Sequence, residues 1–300
     1  KIMIDEFVEP GHFYSVIPHV TEEYNESRVV KYDCLDFNDE SHIHILNELP
    51  EYLHNFDTNF GIPNITEKVA ISKLHPFITD RQNNLQYTLG NSAFEWMDAR
   101  LLYYFLQKNS PKKIIEIGSG NSTLLIYNAK KILNLDLDIT CIEPYPSDYL
   151  KMLDSAGEIK LIINNLENVD INLFKTLSKN DILFIDSSHV LKLNSDVMYY
   201  FTKIFPILND NVLIHIHDIF FPYEYPWISE GRFWNEQYFL YVFLQYNSKF
   251  KITFCNSYSE YKYQEQLKSI QKNCYENNTF IECNGDEAFS GGSIWITKTS

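Results

Sequence analysis

The chain has 300 residues, 45% of them hydrophobic, and carries 40 acidic against 25 basic side chains for a net charge of −15. With no basic run, this balance argues against a nucleic-acid partner, because phosphate backbones draw their affinity from clustered Lys and Arg. No apolar run approaches the ~20 residues that cross a bilayer, no secretory signal is visible, and cysteines at 34, 141, 255, 274 and 283, with no Cys-x-x-Cys spacing, read as reduced thiols of a cytoplasmic protein.

Residues 1–91 hold scattered prolines and one helix, at 39–54. They are expected to form an N-terminal cap, since one short helix offers little core. Because the sequence begins at Lys1, fusion to a neighbouring domain is an open expectation. Sequons at 64–66 and 277–279 carry little weight without a signal. From residue 92 to 300 helix and strand patterns alternate, as in a parallel sheet with helices on both faces. Helices are expected at 92–108, 121–134, 147–154, 171–178, 193–205 and 233–246. Strands are expected at 113–117, 138–143, 159–163, 181–186 and 211–217, and a further pair at 249–255 and 292–298 forms an antiparallel end. The insertion between that pair is polar and reads as a solvated loop, with a flap or homodimer contact as the other reading.

Residues 114–122 (IIEIGSGNS) run an apolar strand into a glycine turn that opens a helix at Asn121. Gly118 and Gly120 allow a tight turn and close approach of a ligand, and the helix N-terminus points at that ligand. After the next strand Glu143 is placed to accept from a ribose diol. Thr123 stands where a dinucleotide fingerprint has its third glycine, which weakens an NAD reading. Open parallel sheets bind at the carboxyl ends of their strands. Those ends also carry Asp186, His189, His217 and Asp218, a set of oxygen and imidazole groups suited to Mg²⁺ or Mn²⁺. His215, deeper in its strand, reads as a satisfied core residue.

The aromatic loop 220–234 reads either as a substrate wall or as core at the sheet edge, with Tyr223, Tyr225 and Trp227 in question. Glu230, Arg232 and Asn235 would supply polar contacts to a substrate. Tyr14, with His12, is expected to close the pocket from the N-terminal side.

The segments IIEIGSGNST (114–123), CIEPYP (141–146), DILFIDSSH (181–189), LIHIHDIFFPYEYP (213–226) and EGRFWNEQY (230–238) carry a resemblance that covers residues 92–299. The sequence resembles the class I S-adenosylmethionine (SAM)-dependent methyltransferases, nearest to a bacterial group of small-molecule or sugar O-methyltransferases to which GHFYSVIP (11–18) is also similar. The resemblance implies an α/β, Rossmann-like fold with a seven-stranded, mostly parallel sheet. It implies that Glu116, Gly118 and Gly120, with Asn121 beside them, line the methionine end of SAM, that Glu143 holds the ribose, and that Asn165 and Leu166 border the adenine. The metal-dependent O-methyltransferases are similar in placing an acid after the fourth and the fifth strand, here Asp186 and Asp218. The Asn that follows the second acid in the catechol pattern is Ile219, so His217 or His189 would have to complete a metal site.

The expected activity is methyl transfer from SAM to a hydroxyl of a small acceptor, with a sugar or glycan intermediate leading. His189 is the expected base, and Asp186 and His217 complete the catalytic set. The alternatives are a metal-independent enzyme using His189 alone, a non-catalytic SAM- or nucleotide-binding regulatory module, and, third, an NAD-dependent dehydrogenase.

Overall fold

Runs rich in Ile, Leu and Val build the central sheet, because β-branched side chains pack well on a pleated surface covered on both faces. The computed structural model describes residues 11–15, 17–19, 29, 32, 34–61, 69–70, 85–228, 231–275, 281–282 and 291–299. Glu230, Cys283 and the two sequons lie outside the described residues. Five parallel strands, β1 (Lys113–Ile117), β2 (Asp138–Ile142), β3 (Lys160–Ile162), β4 (Ile182–Ile185) and β5 (Leu213–His217), are followed by β6 (Phe250–Cys255) and β7 (Ser293–Lys298). The order is β3-β2-β1-β4-β5-β7-β6, and β7 runs antiparallel to both of its neighbours.

The helices are α1 (Asp39–Leu53), α2 (Phe56–Phe60), α3 (Trp96–Asn109), α4 (Asn121–Ile132), α5 (Asp148–Ser155), α6 (Asp196–Tyr199), α7 (Glu236–Gln245), α8 (Asn256–Lys262) and α9 (Gln264–Tyr275). Alternate strand residues feed two cores. Ile114, Ile139, Cys141 and Phe184 pack with α1, α3, α4 and α9, whereas Ile115, Ile117, Ile185 and Ile216 pack with Tyr200, Phe201 and Leu240. This period-two division is what a sheet with helices on both faces requires. No described helix is long and apolar enough to cross a membrane.

Several boundaries differ from the sequence reading for local reasons. The first expected helix starts at Trp96, because Asn91 Oδ1 accepts from the Ala93 and Phe94 N–H groups and holds a turn there. Residues 171–176 form a 3₁₀ turn capped by Asp170. The helix expected at 193–205 is α6 continued through a π-helical turn at Tyr200–Ile204 into a 3₁₀ turn containing Pro206, which has no N–H to offer. The insertion expected as a loop holds α8 and α9, and Leu267 and Ile270, one helical turn apart, bury α9 in the core that α1 shares.

α1 also covers the edge strand β6, which would otherwise offer unpaired backbone groups. Cys255 N donates to His42 Nε2 at 2.9 Å, while Asn38 and Ser41 side chains donate to the Ile252 and Thr253 carbonyls at 2.8 and 2.7 Å. His42 is fully buried in this contact.

The chain turns away from β1 onto β2 on one side and returns as β4 on the other, so the crevice opens between β1 and β4. At that point Gly118 has φ +78°, and a Cβ there would lie 1.7 Å from the Asp186 carbonyl oxygen. Just before it, Glu116 is fully buried and accepts from Thr123 Oγ1 at 2.7 Å and Cys141 Sγ at 3.4 Å. Burial pushes its carboxyl up to about 7 from 4.5, with Asp186 adding to the rise against the hydrogen bonds.

Two outcomes are expected in urea unfolding. Gly118→Ala should lose about 3 kcal/mol or more, because neither the backbone angle nor the Asp186 carbonyl can give way. For Glu116 the folded state keeps its proton where the unfolded chain has lost it, so stability should fall as pH rises from about 4.5 to about 7 and then level off. Glu116→Gln should remove that slope, gaining up to about 3 kcal/mol relative to the native chain at pH 8 compared with pH 4.5.

Candidate active site

A cavity of about 500 Å³ opens at the carboxyl ends of β1 to β4, within the usual size of a cofactor pocket. Its wall includes Gly118, Glu143, Tyr145, Asn165, Leu166, Asp186 and Lys192. Both Glu143 oxygens are aimed by backbone groups: Ser119 N donates to Oε2 at 3.2 Å and Tyr145 N to Oε1 at 2.9 Å. A carboxylate has about four acceptor positions, so capacity remains for a ribose diol. Gly118, Glu143, Asn165, Leu166 and Asp186 are thus brought together as the sequence suggested. Glu116, Gly120 and Asn121 are not part of the wall. Glu116 lies beneath it with Oε1 unpartnered, and Gly120 and Asn121 open α4, where a Cβ on Gly120 would meet only Tyr149 Oη at 3.6 Å. The freedom of Gly118 also serves the Asp186 backbone, whose carbonyl occupies the space a Cβ would take.

The second half of the site gathers four carboxylates around two imidazoles. His189 Nε2 lies 3.5 Å from Asp186 Oδ1 and 3.3 Å from Asp218 Oδ2, and its Nδ1 is 2.9 Å from Glu236 Oε2. His217 Nδ1 lies 3.6 Å from Asp186 Oδ1 and 3.5 Å from Asp218 Oδ1, with Nε2 3.6 Å from Asp98 Oδ2. Tyr200 Oη donates to the other Glu236 oxygen. His189 and Asp218 both hold left-handed backbone, φ +58° and +56°. Such geometry costs of order 1 kcal/mol for each residue and concentrates at functional sites.

Burial opposes charge on His189, His217, Asp186 and Asp98, and the pairing overrides it. Desolvation pulls His189 down, but Asp186, Glu236 and Asp218 push it up to about 10. His217 is held well above the ordinary imidazole range against burial by Asp218 and Asp186. Burial would raise Asp186 and Asp98, yet the neighbouring imidazoles hold both below the usual carboxylate range. Asp186, His217 and Asp218 each offer one atom within 4.8 Å of the others, a spacing one cation fits. His217 Nδ1 has no hydrogen-bond partner. Ile219 is core, its N–H donating to Gly292 O, and contributes no ligand.

His215 is core, as read, but not satisfied: neither ring nitrogen has a partner, and burial, with His217 nearby, pushes it down to about 3. Its ring stacks on Phe184 at 4.0 Å.

The aromatic loop divides between wall and core. Tyr225 is fully buried and its hydroxyl accepts from Gln237 N at 3.0 Å, so it is core. Asn235, read as a substrate contact, is spent on the Leu191 backbone, accepting from its N–H at 2.6 Å. Tyr223 is half-buried beside Tyr261. Trp234 lies 4.4 Å from the His189 ring, and the Arg232 guanidinium sits over Trp227 and Trp234 at 5.2 and 5.7 Å. Tyr14 is 66% exposed, packs on Phe13 and His12, and is not among the cavity residues.

Sequence reasoning missed Asp98, Tyr200 and Glu236. Asp98 stands among apolar residues on the buried face of α3, a polar position that signals a need for partners. Glu236 lay inside the EGRFWNEQY segment, overlooked beside Glu230. The Asn235 and Glu236 N–H groups bond the His189 carbonyl at 3.1 and 3.2 Å, which fastens the first turn of α7 under the imidazole.

Residues 115–219 match the family model described as "Methyltransferase domain". An uncharacterized protein of Archaeoglobus fulgidus is 30% identical over 186 residues, 59% of this chain and 76% of that one. Among solved structures, an SAH-bound Podospora anserina methyltransferase is 19% identical, covering 51% of this chain and 71% of that chain with a TM-score of 0.38. Another, cmcI with Mg-SAM, is 15% identical, covering 66% and 87% with a TM-score of 0.33. Both overlaps are too low to bear on the assignment. The matched segment runs from β1 to Ile219, spanning the cavity and most of the imidazole cluster, and identifies this part of the chain as a methyltransferase domain.

Proposed function

We propose that the protein moves the methyl group of SAM to a hydroxyl of a small acceptor, a sugar or glycan intermediate, with a divalent cation assisting. The observation that carries this reading is Asp186, whose carboxylate is both a wall of the cofactor cavity and a member of the acid-imidazole cluster. Donor and acceptor sides therefore meet at one residue. Bound SAM supplies an electrophilic methyl on a sulfonium, and transfer is then mainly a matter of orienting the acceptor oxygen and removing its proton.

Glu143 holds the ribose, Asn165 and Leu166 flank the adenine, and Asp186 marks the methionine end. Asp186, Asp218 and His217 hold the cation, which when bound supplies Lewis acidity to a hydroxyl. His189 takes the acceptor proton at Nε2, its ring fixed through Nδ1 by Glu236. Surrounded by three carboxylates, His189 keeps its own proton at neutral pH. Its work as a base thus requires that Asp186 and Asp218 be neutralised, which ties the base to the cation. Arg232, Trp227 and Trp234 form the acceptor side beside His189, since aromatic faces stack on sugar rings. Residues 1–91 serve as a cap on the catalytic domain, supported by the hold of α1 on β6.

Calorimetric titration of SAM into the metal-stripped protein should give micromolar binding that Glu143→Ala weakens by about 100-fold, two charge-assisted hydrogen bonds being lost. In an acceptor screen over sugars, His189→Gln should lower kcat by about 10²- to 10⁴-fold with SAM affinity intact. Undiminished SAM binding by Glu143→Ala would remove the cavity from the reading, and full turnover in His189→Gln would remove the base.

A further inference from the structure

His217 is the unusual donor of the cation site. Two of its three groups are carboxylates, hard oxygen donors that serve Mg²⁺ well, but the third is an imidazole. Mg²⁺ gains little from nitrogen, whereas later first-row dications bind it progressively more tightly along the Irving–Williams order. Ile219 provides no oxygen in its place.

The imidazole is also delivered in a fixed orientation. The residue is 7% exposed, with unpartnered Nδ1 between Asp186 and Asp218 and Nε2 toward Asp98. Asp98 is itself immobilised, accepting from Gly292 N at 3.1 Å and from the side chains of Asn256 and Ser293. Gly291 makes room for this, since a Cβ there would stand 2.8 Å from Asp98 Oδ1. A carboxylate behind the far nitrogen of a ligating histidine keeps the proton on that side and leaves the near lone pair for the metal.

We propose that the Asp186–His217–Asp218 site takes a nitrogen-seeking first-row dication, of the Fe²⁺, Co²⁺ or Zn²⁺ kind, in preference to Mg²⁺. Asp98 is the positioning residue that turns His217 Nδ1 toward it. The inference rests on the reading that a cation serves this site, and the test separates the two.

The metal-stripped full-length protein is titrated calorimetrically with CoCl₂ and with MgCl₂. Co²⁺ should bind at least about 100-fold more tightly, and His217→Glu, which makes the donor set all carboxylate, should shrink that ratio at least about tenfold. Asp98→Asn should weaken Co²⁺ binding by about 10- to 100-fold while SAM affinity stays within about twofold, a control that misfolding would fail. Pulsed EPR of the Mn²⁺-loaded native protein, which needs no variant, should show coupling to a directly bound ¹⁴N. Equal affinities for Co²⁺ and Mg²⁺, an unchanged ratio in His217→Glu, or absent ¹⁴N coupling would overturn the selectivity. Full Co²⁺ affinity in Asp98→Asn would overturn the role of Asp98. No binding of either ion, together with turnover indifferent to chelators, would overturn the cation reading itself.

Discussion

The close approach of two strand ends, at Gly118 and the Asp186 carbonyl, is the constraint on which the site depends. β1 and β4 are neighbours in a sheet whose order reverses between them, so their carboxyl ends must part to make a crevice yet stay near enough to share it. Asp186 N donates to Ile117 O at 2.9 Å, and Gly118, with no Cβ, lets the Asp186 carbonyl fold over it. The Asp186 side chain is then placed on the boundary between the cavity and the imidazole cluster. A larger residue at 118 would move one wall of both halves at once.

The cluster on the far side of that boundary would be costly if its charges were counted singly. Removing one ion from water without a partner costs several kcal/mol. Here the partners are interleaved: Asp186 and Asp218 each face both imidazoles, while Glu236 and Asp98 stand behind one imidazole each. Four carboxyl groups thus stand around two imidazoles, so acidic side chains outnumber basic ones in the cluster.

How much of this was legible in the sequence depends on how local its cause is. The β1 glycine turn, the acids ending β2 and β4 and the His-Asp pair ending β5 could be read because strand, turn and polar end are contiguous. Thr123 was legible as a missing glycine, but its purpose was not. Its hydroxyl accepts from Gly120 N at 3.1 Å and donates to Glu116 at 2.7 Å, binding the turn to a carboxylate seven residues earlier. Asp98 and Glu236 were missed because their partners lie 119 residues and 47 residues away in sequence, by the numbering of His217 and His189. The α9 helix was hidden by a strongly polar composition in which Leu267 and Ile270 mark the buried face. Tyr225 and Asn235 carried the right residue types in the right loop, yet their polar atoms are consumed by Gln237 and Leu191.

Several locally unfavourable features gather at the site. The buried Glu116, whose carboxyl is pushed up to about 7, the unpartnered nitrogens of His215, the unpartnered Nδ1 of His217, and the left-handed backbone of His189 and Asp218 all lie on β1 and β5 or at the carboxyl ends of β4 and β5. Beneath them, alternating strand residues feed two cores, α1 seals the sheet edge, and Arg100, fully buried, meets Asp57 at 2.6 Å. Departures from local rules are expected where function requires them and the remaining fold can support the cost. The polar, strained end of this sheet stands on two apolar cores, and the rigidity of those cores is what keeps its interleaved acids and imidazoles in one arrangement.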